Sequence, residues 1–268
     1  MLQIAEALPP QPSPLWDLVK QCGVTHVVGA MRLRRGQPLD PESGHAPWSF
    51  ESLTDVKKTY TDAGFHFSVL ESRPPLTKAK LGLHGRDEEI ENAITLVRNL
   101  GKLEIPVWCY EWMPVFNWLR TSKNVPVRGG ALATGYHHET MQKEPQSEYG
   151  EVSEDVLWDS LAYFLKAVVP VAEEAGVKLA MHPDDPPLSP IRGLGRIMRS
   201  VDHFQKLLDL YPSPMNGIAL CQGNFTLMTD DLLSAILKFG EQKKIFFVHL
   251  RDVQGHAKDF VEAFHDDG

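Results

Sequence analysis

Three residues whose side chains bind transition metals each follow a short apolar run. His182 follows 177–181, Cys221 follows 217–220, and His249 ends the run IFFVH, with spacings of 39 and 28 residues. Two imidazoles and a thiolate make a metal site with room for water or substrate, and coordination would explain the thiol by deprotonating it. Taken singly, each has an ordinary reading: a satisfied histidine at a strand end, or a cysteine serving as a small buried hydrophobe. Their recurrence after three consecutive apolar runs favours one shared site. By ligand type alone, a Cys and two His suggest zinc.

Polar residues crowd the same positions. Asp184 and Asp185 follow His182 in HPDDPP, with Asp184 the candidate for a catalytic role and Asp185 equally readable as a solvated loop acid. Arg251 lies two residues past His249, so on an extended chain it shares that side chain's facing and could clamp a carboxylate through two parallel N–H bonds. A plain surface arginine is the alternative. Glu71 closes FSVLE, and Tyr110 and Glu111 close VWCYE, at matching positions on two earlier runs. Glu71 reads either as substrate-facing or as a partner for Arg73 or a lysine. With Arg120, beside the aromatic patch of Trp112, Phe116 and Trp118, and Asn224 of CQGN, these are the candidate substrate contacts.

The elements that must position them alternate along the chain. β-branched and aromatic runs at 24–29, 65–70, 107–110, 177–181, 217–220 and 245–250 read as strands covered on both faces, with a weaker first strand at 2–7. Amphipathic stretches at 13–21, 50–63, 87–103, 153–175, 201–210 and 230–240 read as helices, and Pro170 is expected to kink the fourth of them. Gly23, Gly64 and Gly176 each stand between a helix and the next strand, where a left-handed cap belongs. Strand–helix alternation of this kind predicts an α/β fold with a parallel sheet, a TIM (β/α)8 barrel in preference to an open doubly wound sheet. No glycine-rich phosphate loop follows any strand, and Gly193-Leu194-Gly195 reads as a turn. In such a barrel the C-terminal strand ends form the face on which active sites are built.

One connection breaks the pattern. Residues 112–152 contain no clear helix, and a segment this long within a single barrel domain (1–268) is expected to be an insertion or lid over the site. The rest of the composition is ordinary: 268 residues, 43% hydrophobic, net charge −8. The negative balance argues against nucleic acid and anionic membrane as partners, and no apolar stretch approaches the ~20 residues of a membrane span. The N-terminus has no basic start followed by an apolar run, as a secretory signal would. Cys22, Cys109 and Cys221 form no CxxC pair, which points to a reducing cytoplasm.

HPDDPP, the Cys-x-Gly segment and FVHLRDV resemble the mannonate dehydratases of the xylose-isomerase-like TIM-barrel superfamily. So do VVGA at 27–30, ESRPP at 71–75, RNLGKLEIPVWCYEWMPVFNWLRT at 98–121 and GGALAT at 129–134. The resemblance implies dehydration of D-mannonate to 2-dehydro-3-deoxy-D-gluconate in hexuronate (glucuronate) catabolism. It implies Mn²⁺ or Fe²⁺ in preference to Zn²⁺, held by His182, Cys221, His249 and an aspartate. Arg251 would then meet the carboxylate of a small sugar acid, and a homo-oligomer is compatible with the family.

Two departures stand out. The family reads Cys-Tyr-Asn before its Met-Pro, whereas here Glu111 follows Tyr110. The family's fourth ligand lies in an Arg-Pro-Asp-His motif on the last strand, which is absent from this sequence, and neither Asp266 nor Asp267 is a substitute. The expectation is a barrel lacking its eighth strand and last helix. The alternatives are a metal-dependent sugar isomerase or epimerase on the same barrel, against which Cys221 counts, and an inactive truncated barrel that binds a sugar acid.

Overall fold

The computed structural model describes residues 2–32, 39, 40 and 42–268. Its first half runs β1 (Ala5–Ala7), α1 (Pro14–Gln21), β2 (His26–Gly29), α2 (Phe50–Asp62), β3 (His66–Leu70), α3 (Thr77–Leu81), α4 (Arg86–Lys102) and β4 (Val107–Glu111). An antiparallel hairpin, β5 (Ser122–Pro126) and β6 (Leu132–His137), and the short α5 (His138–Met141) come next. The barrel pattern resumes with α6 (Glu154–Ala175), β7 (Lys178–His182), α7 (Val201–Leu210), β8 (Asn216–Cys221), α8 (Gln222–Thr226), α9 (Leu232–Glu241) and β9 (Ile245–His249). A second hairpin follows, β10 (Asp252–His256) and β11 (Asp259–Ala263).

Seven strands form one parallel sheet in the order β1-β2-β3-β4-β7-β8-β9, curled as part of a barrel. Local chemistry sets its units. Ser153 accepts a hydrogen bond from the Val156 amide at the start of α6, and α6 runs on through Pro170 to Gly176, whose φ of 69° ends it. Gly217 is required by close approach, since a Cβ there would meet the Phe246 ring and, at 2.6 Å, the Lys244 carbonyl. Gly193 has φ +82° within the turn that pairs Ile191 with Leu194.

Strand alternation sorts the core into two layers. Val27, Leu70, Trp108, Leu179, Ile218 and Leu220 face the helices, packed with residues such as Leu53, Leu96, Phe164 and Leu207. Each such side chain, once fully buried, stabilises the fold by about 1.5–3 kcal/mol. Val28, Val69, Val107, Cys109, Ala180 and Ala219, with Phe247 against them, fill the inner face. Side chains two residues beyond these inner positions must point inward at the C-terminal rim.

The 112–152 segment is more ordered than its sequence suggests. β6 pairs with β5 on one side and with β11 on the other, giving a four-stranded antiparallel sheet in the order β10-β11-β6-β5. The second hairpin was not legible because DVQGHAKDFVEA shows no regular alternation of apolar and polar residues. No helix among the described residues is long and apolar enough to cross a membrane.

Candidate active site

The inward rim positions converge. Two residues beyond Ala180, Ala219, Phe247, Val69 and Cys109 stand His182, Cys221, His249, Glu71 and Glu111, and all five line one cavity of about 620 Å³. Strand register places Glu111 opposite His182 and Cys221 opposite His249. One donor atom from each of His182, Cys221 and His249 lies within 4.8 Å of the others.

The histidines are oriented from behind. His182 donates from Nδ1 to the Pro183 carbonyl at 2.8 Å, which leaves Nε2 as the lone-pair nitrogen. His249 donates from Nε2 to Glu71 at 3.2 Å, and its Nδ1 meets His182 Nε2 at 3.2 Å. A carbonyl and a carboxylate thus hold the distal nitrogens and turn the proximal ones toward each other, the support that metal-binding histidines require. Burial pushes the Cys221 thiol up, but hydrogen bonds with His182 and His249 and the Arg251 charge more than reverse this, to about 5. Burial pushes His249 down, and Cys221 and Glu71 outweigh it, to about 10. Glu71 is raised by burial but held below its ordinary value by His249 and His182. A thiolate with two aimed imidazoles fits a divalent transition metal.

A charged network forms the wall beside this cluster. Asp185 takes both ends of the Arg120 guanidinium, at 2.8 and 2.9 Å, and accepts from Arg251 at 3.0 Å. Glu262 of β11 bridges the same two arginines, each at 2.7 Å. Across the cavity, both oxygens of Glu111 accept from Lys80, at 2.8 and 2.9 Å, and Oε1 also accepts from Arg73. Burial pushes the Glu111 carboxyl up, but the Lys80 and Arg73 charges bring it to about 2. Burial and the Arg73 charge bring Lys80 to about 7 against the pull of Glu111.

The sequence profile of the D-mannonate dehydratase (UxuA) family matches residues 13–148 and 142–268. The chain belongs to the mannonate dehydratase family. It is 36% identical over 243 residues to a mannonate dehydratase of Streptococcus equi subsp. zooepidemicus, covering 81% of this chain and 66% of that protein. It is 35% identical over 288 residues to that of Endomicrobium trichonymphae, covering 95% and 76%. The chain therefore spans just under two thirds of the length of the streptococcal relative. The crystal structure of mannonate dehydratase from Streptococcus suis serotype 2 superposes with a TM-score of 0.89 at 32% identity, over all of this chain and 78% of that one. D-psicose 3-epimerase from Clostridium cellulolyticum H10, at 12% identity, shares the fold with a TM-score of 0.59 over 94% of this chain and 76% of its own.

Against this family frame, the residues singled out by sequence divide clearly. His182, Cys221, His249, Glu71, Glu111, Arg120 and Arg251 all line the cavity. Asp184 does not: its carboxylate is 1% exposed, pairs with Arg196 at 3.3 Å and accepts from the Met198 amide at 2.7 Å, so it braces the loop. Asn224 is fully buried behind Cys221, its Nδ2 3.5 Å from the sulfur. Tyr110 borders the cavity, but strand alternation sends its ring outward against Trp108 and Phe164. The carboxylate clamped by Arg251 is Glu262, and the carboxylate paired with Arg73 is Glu111, not Glu71.

Of the two readings open for Asp185, the structure gives the one inside the site, since it lines the cavity, whereas cavity-lining Glu262 and Lys80 behind Glu111 were not singled out from sequence. Asp185 follows the inward-pointing His182 closely, a usable signal. Lys80 carries none, because Glu111 lies 31 residues away; Glu262 meets Arg251, 11 residues away, only through a hairpin with no regular alternation, and its other partner, Arg120, is 142 residues away.

Proposed function

We propose that this chain carries a metal-dependent D-mannonate dehydratase site, which forms 2-dehydro-3-deoxy-D-gluconate in hexuronate catabolism in the cytoplasm. The observation that carries this reading is the aimed pair of His182 Nε2 and His249 Nδ1 beside the Cys221 thiolate, in a member of the mannonate dehydratase family. The ligands would be His182, Cys221 and His249, and the metal Mn²⁺ or Fe²⁺; the family resemblance supports these over Zn²⁺. A bound dication supplies electrostatic stabilisation of the charge that develops when the weakly acidic C2 proton leaves. The chain's own residues orient the reactants. Glu71 holds the proton of His249 at Nε2 and so keeps Nδ1 turned inward. Asp185 and Glu262 fix the Arg120 and Arg251 guanidinium groups as one polar wall. The cavity volume lies within the range of small-molecule sites.

The same reading completes the barrel with an eighth strand beside β9 carrying a carboxylate as fourth ligand. It is supported by β9 being paired, among the described residues, only to β8 and partly exposed along its whole length. Incubation of the protein carrying that eighth strand with Mn²⁺ and D-mannonate should yield a 2-keto-3-deoxy acid, and His182→Ala should abolish both bound metal and turnover. Full metal content and full turnover in that variant would refute the assignment.

A further inference from the structure

We propose that Arg73 is the seat for the carboxylate of the sugar acid, and that Glu111 positions it. This rests on the sugar-acid reading above and deepens it. Three arginines line the cavity, and their hydrogen bonds distinguish them.

Arg120 has no N–H to spare. Its Nε donates to Glu262 at 3.2 Å, its Nη1 to Asp185 and the Leu119 carbonyl at 2.8 and 2.9 Å, and its Nη2 to Asp185 and Glu262 at 2.9 and 2.7 Å. Arg251 is gripped by Glu262 through Nε and Nη2, at 2.8 and 2.7 Å, and by Asp185 through Nη1 at 3.0 Å. These two cations already have two carboxylates. A substrate carboxylate arriving there would have to displace one of them.

Arg73 is different. Its Nε donates to Glu111 and its Nη1 makes a 3.4 Å contact with the Pro74 carbonyl, while Nη2 has no acceptor among the described residues. The end of the guanidinium bearing Nη1 and Nη2 is the pair of parallel donors that a carboxylate takes most strongly. Two cations, Arg73 and Lys80, share the one carboxylate of Glu111. That carboxylate cannot swing away, because Lys80 holds both its oxygens and the Met113 amide donates to Oε2 at 2.5 Å. Pro74 and Pro75 stiffen the chain that carries Arg73. The result is a guanidinium pre-aimed at the cavity, with the His182, Cys221 and His249 cluster in the same space for the reacting end of the ligand.

The test is calorimetric binding of D-mannonate, D-gluconate and neutral D-mannonamide to the Mn²⁺-supplemented full chain, with mannonate turnover followed separately. The wild type should bind both acids roughly ten- to a hundredfold more tightly than the amide. Arg73→Gln should erase that preference with amide binding unchanged. Glu111→Gln should weaken the acids alone, an effect that a general packing defect would not produce. Arg251→Gln should keep the preference. Retention of the preference in Arg73→Gln, or its absence in the wild type, overturns the seat. Acid binding through Arg73 without formation of a keto acid by the protein carrying the eighth strand would overturn the dehydratase reading and leave the seat standing.

Discussion

Glu262 grips the edge of the Arg251 guanidinium with both oxygens, Oε2 to Nε at 2.8 Å and Oε1 to Nη2 at 2.7 Å. Arg251 lies in the two-residue link between β9 and β10, and Glu262 lies on β11, so this pair ties the antiparallel sheet to the rim of the parallel one. Arg120 joins through the same Oε1 at 2.7 Å. One carboxylate therefore anchors the second hairpin over the cavity.

Glu262→Ala should release that hairpin. Two partly buried guanidinium groups lose charge-assisted bonds, at a cost of about 1–3 kcal/mol. Urea unfolding should show the loss, and amide exchange should accelerate across 252–263. Unchanged exchange there would show that the strand pairing of β11 with β6 suffices.

In the metal-free protein Cys221 and His249 should form a thiolate–imidazolium pair at neutral pH. With Cys221 at about 5 against its ordinary 9.0, its contribution to stability is full above 9.0 and lost as pH falls toward 5. With His249 at about 10 against 6.5, its contribution is full below 6.5 and lost as pH rises toward 10. The two opposite slopes cancel in between. The stability advantage of wild type over the double variant Cys221→Ala with His249→Ala should therefore be greatest and level from 6.5 to 9.0, declining on both sides; an advantage rising steadily across that window would contradict the pair.

Metal binding should release protons. Ligation needs the lone pair on His249 Nδ1, and the imidazolium must give up a proton to supply it. Adding Mn²⁺ to weakly buffered metal-free protein at neutral pH should acidify the solution. His182→Ala should abolish both the acidification and the bound metal.

Lys80→Met should be among the more damaging substitutions. Lys80 is 1% exposed, and its removal leaves the Glu111 carboxylate with Arg73 and the Met113 amide as its donors, a loss of up to about 3–5 kcal/mol for a broken buried pair. The double variant Lys80→Met with Glu111→Gln should recover much of it in urea unfolding. Because the Glu111 carboxyl sits at about 2, below its ordinary 4.5, the stability it contributes in the wild type is present above 4.5 and is lost as pH falls toward 2.

Gly217→Ala should destabilise although it adds one methyl. The new Cβ would strike the Phe246 ring and the Lys244 backbone carbonyl where β8 meets β9. Overpacking of this kind costs about 1–3 kcal/mol, measurable as a lowered thermal midpoint.

The sequence by itself determined the alternation of strands and helices, the glycine caps, and the placement of His182, Cys221 and His249 at strand ends. These follow from local periodicity, which reads out which residues face the core and where each element stops. It also located Glu71 and Glu111 on the right strands. Tertiary structure decided the partners. Only the folded chain gives the Lys80 ammonium to Glu111, braces the Asp184 loop against Arg196, and gives Arg251 a carboxylate from β11. Those pairings join side chains 11 to 31 residues apart on different elements or loop turns, where a charge is matched by whatever opposite charge the fold delivers within hydrogen-bonding distance. Periodicity along the chain carries no record of that distance.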